Sequence, residues 1–211
     1  MGVKERKKME KQMRRSQILG AARKLLISQG MDNISISKIS RESQLSVGTI
    51  YFYYKSKEDI FIALQEEGLS LLLDIIQQIH GRKTMPPDRK LVKIADAYYT
   101  FTRDQQEYYN IINYFLSSPR IFFNEDQKKH VDMAGSRILQ VIQEIVLHGI
   151  DTGYFNKTDP KKFSIMFWGT LHGLVQFKKL EHTALQNENI QQVYDYSVKT
   201  LVQILHSKGE E

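Results

Sequence analysis

The 23 residues from Ser35 to Lys57, SISKISRESQLSVGTIYFYYKSK, constrain the fold of this chain more than any other stretch. Ser35 has the small side-chain oxygen that caps a helix start, and Ile36 and Ile39 then set an apolar stripe that stops near Ser43. Leu45 follows as an apolar plug, and Ser46 offers a second cap to a segment carrying Val47, Gly48, Thr49, Ile50, Tyr51 and Tyr53. Ser56, followed by Glu58 and Asp59, opens a third helix, since acidic groups in a first turn suit the helix dipole. Two short helices around a tight turn form a helix-turn-helix, whose second helix is sized for the major groove of duplex DNA.

Within that second helix, Ile50 belongs to the packed side. Gly48 and Thr49 are small enough to let the backbone approach base edges, and the hydroxyls of Tyr51 and Tyr53 reach for phosphate oxygens. The expected DNA contacts are Ser35, Ser37, Ser46, Val47, Gly48, Thr49, Tyr51, Tyr53 and Lys57, with Ser37, Val47, Gly48 and Thr49 closest to the bases.

Residues from about 16 to 61 resemble the DNA-binding domain of the tetracycline-repressor (TetR) family of bacterial transcription regulators. The resemblance rests on Gly30, Ser35, Ile39, the run Ser46-Val47-Gly48-Thr49-Ile50-Tyr51, the pair Tyr53-Tyr54, and Lys55-Ser56-Lys57-Glu58. It implies a dimeric, all-helical repressor that leaves its operator when a small molecule binds the larger C-terminal domain. It also implies a phosphate contact at Lys57 and a signalling role for the long helix that begins there. Two positions depart from the pattern. Gln44 stands where the family often has Gly in the turn, and a non-glycine residue at positive φ is mildly strained. Val47 stands where a basic or polar residue is common; it cannot hydrogen-bond a base, although it can touch a thymine methyl.

Charge follows the same division. Residues 1–59 hold 13 Lys and Arg against 6 Asp and Glu, whereas residues 60–211 hold 17 against 18, so the whole excess of +6 comes from the helix-turn-helix side. Much of it lies in the opening MGVKERKKMEKQMRRSQ, whose first part is expected to be disordered or frayed helix and to add phosphate or minor-groove contacts. The domain reading is therefore a basic arm over 1–15, a helix-turn-helix domain over 16–61, and a ligand-binding and dimerisation domain over 62–211. The absence of cysteine excludes a disulfide scaffold and fits a reducing cytoplasm. No apolar run approaches the ~18 residues of a spanning helix and no signal-peptide core opens the chain, so a cytoplasmic protein without a membrane partner is expected.

The remaining segments read as helices, and no strand alternation persists, so the fold class is all-α. Ile18, Ala21, Ala22, Leu25 and Leu26 mark an amphipathic helix ended by Gly30. From Lys57 an apolar face continues to about Gly81, roughly 36 Å of helix at 1.5 Å per residue. After Pro86-Pro87, with Asp88 as cap, one aromatic-rich helix is expected over Lys90–Leu116. Phe122 and Phe123 precede a helix with the stripe Ile138, Val141, Ile142, Ile145 and Val146. Asp159-Pro160 starts another, KKFSIMFWGTLHGLVQFKKLEH, in which Gly169 and Gly173 leave a smooth face; its segment WGTLHGL resembles a C-terminal motif of the same family. The last helix covers about 189–206. Leftover apolar faces on these two helices predict a homodimer built as a four-helix interface.

Tyr98, Tyr109, Tyr114, Phe115, Met166, Trp168 and His172 are the candidate effector contacts for a lipophilic or aromatic small molecule; core packing is the competing role for each. No HExxH, GxSxG, GxGxxG or phosphate-loop pattern occurs, and the six histidines are scattered, so no catalytic residue, metal site or cofactor is expected. The sequence thus reads as a ligand-responsive, operator-binding homodimeric repressor. A nonspecific DNA-binding protein, or less readily an enzyme on a helical scaffold, is the alternative.

Overall fold

The computed structural model describes residues 2–117, 125–178, 183 and 188–206, and among them all regular structure is helical. The elements are α1 (Val3–Gln29), a 3₁₀ turn (Met31–Asn33), α2 (Ile36–Ser43), α3 (Val47–Tyr53), α4 (Lys57–His80), α5 (Pro87–Asp104), α6 (Gln106–Ser117), α7 (Glu125–Asp151), α8 (Pro160–Phe177) and α9 (Ile190–Ile204). The chain forms two compact units, one of Met1–Leu69 with Glu107–Val131, the other of Ser70–Gln106 with Asp132–Glu211.

In the first unit α1 buries Ile18, Ala21, Ala22, Leu25 and Leu26 on one face, packs on α2, and stops at Gly30, whose φ of 71° suits a residue without Cβ. The arm differs from the disordered or frayed segment expected of it. α1 runs unbroken from Val3, with the Glu5 carboxylate accepting the Gly2 N–H at 2.8 Å. Ile39 and Ile50 are fully buried in the same core, together with Ile60 and Leu64 at the start of α4.

α6 also belongs to this unit, which divides the single helix expected over Lys90–Leu116 into two. The break falls at Gln105, with no Gly or Pro to announce it; its N–H closes α5 by donating to Phe101 O at 2.9 Å. Beyond it, Tyr108 is buried against Gly68 of α4, so close that a Cβ there would lie 2.8 Å from the Tyr108 Cβ. Arg23 of α1 donates to the Tyr108 hydroxyl, and its guanidinium also lies 5.4 Å from the ring centre. Burial pushes the Tyr108 phenol above its ordinary pKa, helped by Glu67 and opposed by Arg23.

In the second unit α8 packs on α9, and α5 packs on both. Tyr194 of α9 is buried and donates its hydroxyl to Ala95 O of α5 at 2.8 Å, and burial raises its phenol far beyond the usual range. Ile138, Val141, Ile142, Ile145 and Val146 of α7 are all buried. α8 starts as its sequence dictates, since the Asp159 carboxylate accepts from Lys161 N–H (3.0 Å) and Lys162 N–H (3.1 Å). Those bonds lower the Asp159 pKa. Asp88 is not the cap of α5. Pro86 holds that position and Pro87 the first turn, while the Asp88 carboxylate accepts the Tyr154 hydroxyl at 2.8 Å. Phe122 and Phe123 lie outside the described residues.

Candidate nucleic-acid interface and ligand site

The α2–α3 turn is held by local bonds. Ser35 Oγ accepts the Lys38 N–H at 3.3 Å, capping α2. Gln44 then takes a left-handed conformation (φ 55°, ψ 33°), and among the described residues no other non-glycine has positive φ. The Leu45 N–H donates to Ser40 O at 3.1 Å, and Ser40 Oγ donates back to Leu45 O at 2.5 Å, so the turn closes without the missing glycine. Ser46 Oγ accepts the Thr49 N–H at 3.0 Å and lies 2.8 Å from Thr49 Oγ1. The two hydroxyls thus serve each other and cap α3.

With Ile50 fully buried, the opposite pole of α3 is Gly48 and Phe52, by the ~100° per residue of helical geometry. Phe52 is 79% exposed, Tyr51 52% and Val47 39%. Phe52 is not among the expected contacts; its position two residues from Ile50, and four from Gly48, is the sequence signal for its exposure. Ser35, Ser37, Ser46 and Gly48 are also exposed. Tyr53 is half-buried with its ring 5.1 Å from that of Phe52, and Lys57 is half-buried with its ammonium 5.7 Å from the Phe61 ring. Behind α3, Tyr54 is buried under the Arg15 guanidinium, 4.6 Å from the ring centre. Burial raises the Tyr54 phenol pKa, and the Arg15 charge opposes the rise.

Three of the effector candidates meet in the second unit. The Tyr98 hydroxyl is 2.7 Å from His172 Nδ1, and its ring centre is 4.7 Å from that of Trp168. Trp168 and His172 are four apart on α8 and so face α5 together. Burial holds the His172 imidazole below its ordinary pKa of 6.5. Met166 is 43% exposed on another face of α8. Tyr109, buried, and Tyr114, exposed, lie on α6 in the first unit, and the Phe115 side chain is outside the described residues. A groove of about 460 Å³ lies between α4 and α5, lined by the apolar Ile75, Ile79 and Phe101 and by the charged Arg82, Lys93, Asp96 and Asp104. Among the described residues, no group of three or more His, Cys, Asp or Glu is placed to hold a metal, and no helix is long and apolar enough to cross a membrane.

A capped helix turned outward from a helix-turn-helix, in an all-helical chain with a second helical unit, defines a helical DNA-binding transcription regulator. Residues 18–64 match the family model for bacterial regulatory proteins of the tetR family, and residues 91–201 match that for the tetracyclin repressor-like C-terminal domain. The chain belongs to the TetR family. It is 22% identical over 163 residues to the fatty acid metabolism regulator protein of Bacillus subtilis, covering 77% of this chain and 81% of that one. Its fold is similar to the crystal structure of the transcriptional regulator FadR from Bacillus subtilis in complex with stearoyl-CoA, with a TM-score of 0.71 and 20% identity over 90% of this chain and 99% of that one. It is also similar to AibR in complex with isovaleryl coenzyme A and operator DNA, with a TM-score of 0.67 and 16% identity over 90% and 98%.

Proposed function

We propose that the protein is a homodimeric repressor that reads a palindromic operator with two copies of α3 and is released by an acyl thioester of coenzyme A. The observation that carries the DNA reading is the outward face of α3, where Val47, Tyr51 and Phe52 stand exposed around Gly48. Ser35, Ser37, Tyr53 and Lys57 flank that face and hold the phosphates, while Ser46 and Thr49 fix the helix start. Fixing the cap limits Thr49 to its methyl as a base contact, the kind of surface that meets a thymine methyl.

The effector class is supported by the two similar regulators whose structures hold stearoyl-CoA and isovaleryl coenzyme A. In this chain the Tyr98–Trp168–His172 cluster is the proposed wall for the lipophilic part, with Tyr109, Tyr114, Phe115 and Met166 as the remaining candidates. A second position is the α4–α5 groove, where Arg82 and Lys93 are the cations that could meet an anionic group, beside the carboxylates of Asp96 and Asp104. Effector binding moves α4 so that the two recognition helices no longer match successive major grooves.

Selection of duplexes from a randomised pool, followed by anisotropy titration with acyl-CoA thioesters of graded chain length, tests the proposal. A palindromic consensus released by one chain-length class is the expected result. No enrichment over the pool removes the repressor reading. If release is lost in Trp168→Ala but kept in Arg82→Ala, the cluster is the ligand wall; the reverse moves it to the groove.

A further inference from the structure

The first four turns of α1 carry a pattern that a disordered arm would not. Lys4, Lys7, Lys8, Lys11, Arg14 and Arg15 recur at spacings of three and four, so they share one face of the helix, whereas Arg6, Met9 and Met13 lie on the other side. That basic face continues in register into the apolar one, which buries Ile18, Ala22, Leu25 and Leu26 against the helix-turn-helix. The stripe begins beside the recognition helix: Arg15 lies over the ring of Tyr54, the residue that ends α3, and Gln17 Nε2 donates to Ser43 O at the end of α2 at 2.8 Å. Exposed Lys55 stands next to Tyr54 in sequence.

Lys4, Lys7, Lys8 and Lys11 are exposed, and none has an ion pair among the described residues. Like charges three and four apart on one helix face are mutually destabilising, and several such pairs share this stripe. A polyanion laid along it adds attractive terms that outweigh those repulsions.

We propose that the N-terminal helix is a phosphate-tracking arm: its lysine stripe lies along the sugar-phosphate backbone of duplex DNA flanking the site read by α3. This rests on the reading of α3 as the DNA-facing helix. The stripe from Lys4 to Arg15 is about 16 Å long at 1.5 Å per residue; phosphates of one strand advance about 3.4 Å each along the duplex axis and lie farther apart along the winding strand, so the stripe reaches fewer than five of them. An α-helix with side chains is about 10–12 Å across and the minor groove about 6 Å wide, so the arm follows phosphates and does not enter that groove. It therefore adds affinity without adding sequence preference.

The test uses full-length protein and a 30-base-pair duplex of mixed sequence, alongside a duplex enriched from a randomised pool, with affinities measured from 50 to 300 mM KCl. Each phosphate contact contributes about 0.9 to the slope of log affinity against log salt. Replacing Lys4, Lys7, Lys8 and Lys11 together by alanine should lower that slope by two to four per protomer on both duplexes, whereas Arg6→Ala on the other face should leave it within measurement error. Gln12→Pro keeps every charge and breaks the helix, so it should also lower the slope. A quadruple variant with the wild-type slope overturns the arm. A lowered slope in the quadruple variant with none in Gln12→Pro overturns the helical stripe in favour of a flexible tail. Failure of the pool to enrich sinks the repressor reading instead, and the mixed-sequence duplex still reads the arm.

Discussion

His172 is the residue whose chemistry makes the sharpest statement about the second unit. Its imidazole is half-buried beside Tyr98, and burial lowers its pKa from 6.5, so the folded protein holds it neutral at pH 7. As pH falls through 6.5 the unfolded chain binds the proton first. The contribution of His172 to stability is therefore full at pH 7 and above, and falls between 6.5 and the lower folded-state value. His172→Gln retains a group able to accept the Tyr98 hydroxyl and removes the titration. Urea unfolding at pH 7.5 and 5.5 should show wild type losing more stability than the variant. Equal losses would mean that the imidazole titrates alike in both states. The spacing of Trp168 and His172 was legible in the sequence as one helix face, but the partner was not: Tyr98 lies 74 residues away, and no local pattern links it to His172 in preference to the other aromatics.

Helix starts proved more legible than helix ends, because a start is set by side chains that act within three residues. Ser35, Ser46 and Asp159 cap α2, α3 and α8 through bonds to the next turn. The α5–α6 break at Gln105 has no such signal. It is fixed by packing at a distance, with Tyr108 seated on Gly68 and under Arg23. For α3 the caps are readable, and Ser37, Val47, Gly48 and Thr49 read as closest to the bases; Phe52, which projects from the same pole as Gly48, is not among them. Under the proposed function, a ring this exposed reads thymine methyls by apolar contact. Phe52→Ala should leave the melting temperature unchanged and lower affinity for the enriched duplex about tenfold, or ~1.4 kcal/mol, with little change on mixed-sequence DNA. Equal losses on both would make Phe52 a phosphate-side packing residue. An unchanged affinity for the enriched duplex would remove it from the interface.

At the scale of the whole molecule, the excess of positive charge belongs to residues 1–59, in the first unit, while the second unit exposes apolar side chains of its own on its last two helices. On those helices Ile165, Met166, Gly169, Gly173 and Phe177 share one side of α8, and Tyr196, 71% exposed, and Ile204 share one side of α9. These two helices pack on each other, and in the proposed dimer a second copy would set its own two against them. Gly173 offers a way to test assembly apart from folding. A Cβ built there meets nothing within 4 Å, and an arginine is a better helix former than glycine, so Gly173→Arg should fold with unchanged or slightly raised stability. In the proposed dimer it sets two guanidinium groups against an apolar partner face, where burying an unpaired charge costs several kcal/mol. Sedimentation at micromolar concentration should find wild type at twice the 24.7 kDa chain mass and the variant at one. A monomer engages one half-site, so affinity for the palindrome should fall by 10²-fold or more with the loss of the linked second contact. A variant that stays dimeric at the same concentration would move the interface off α8 and α9, and a wild-type monomer would leave the two-half-site mechanism without its second helix.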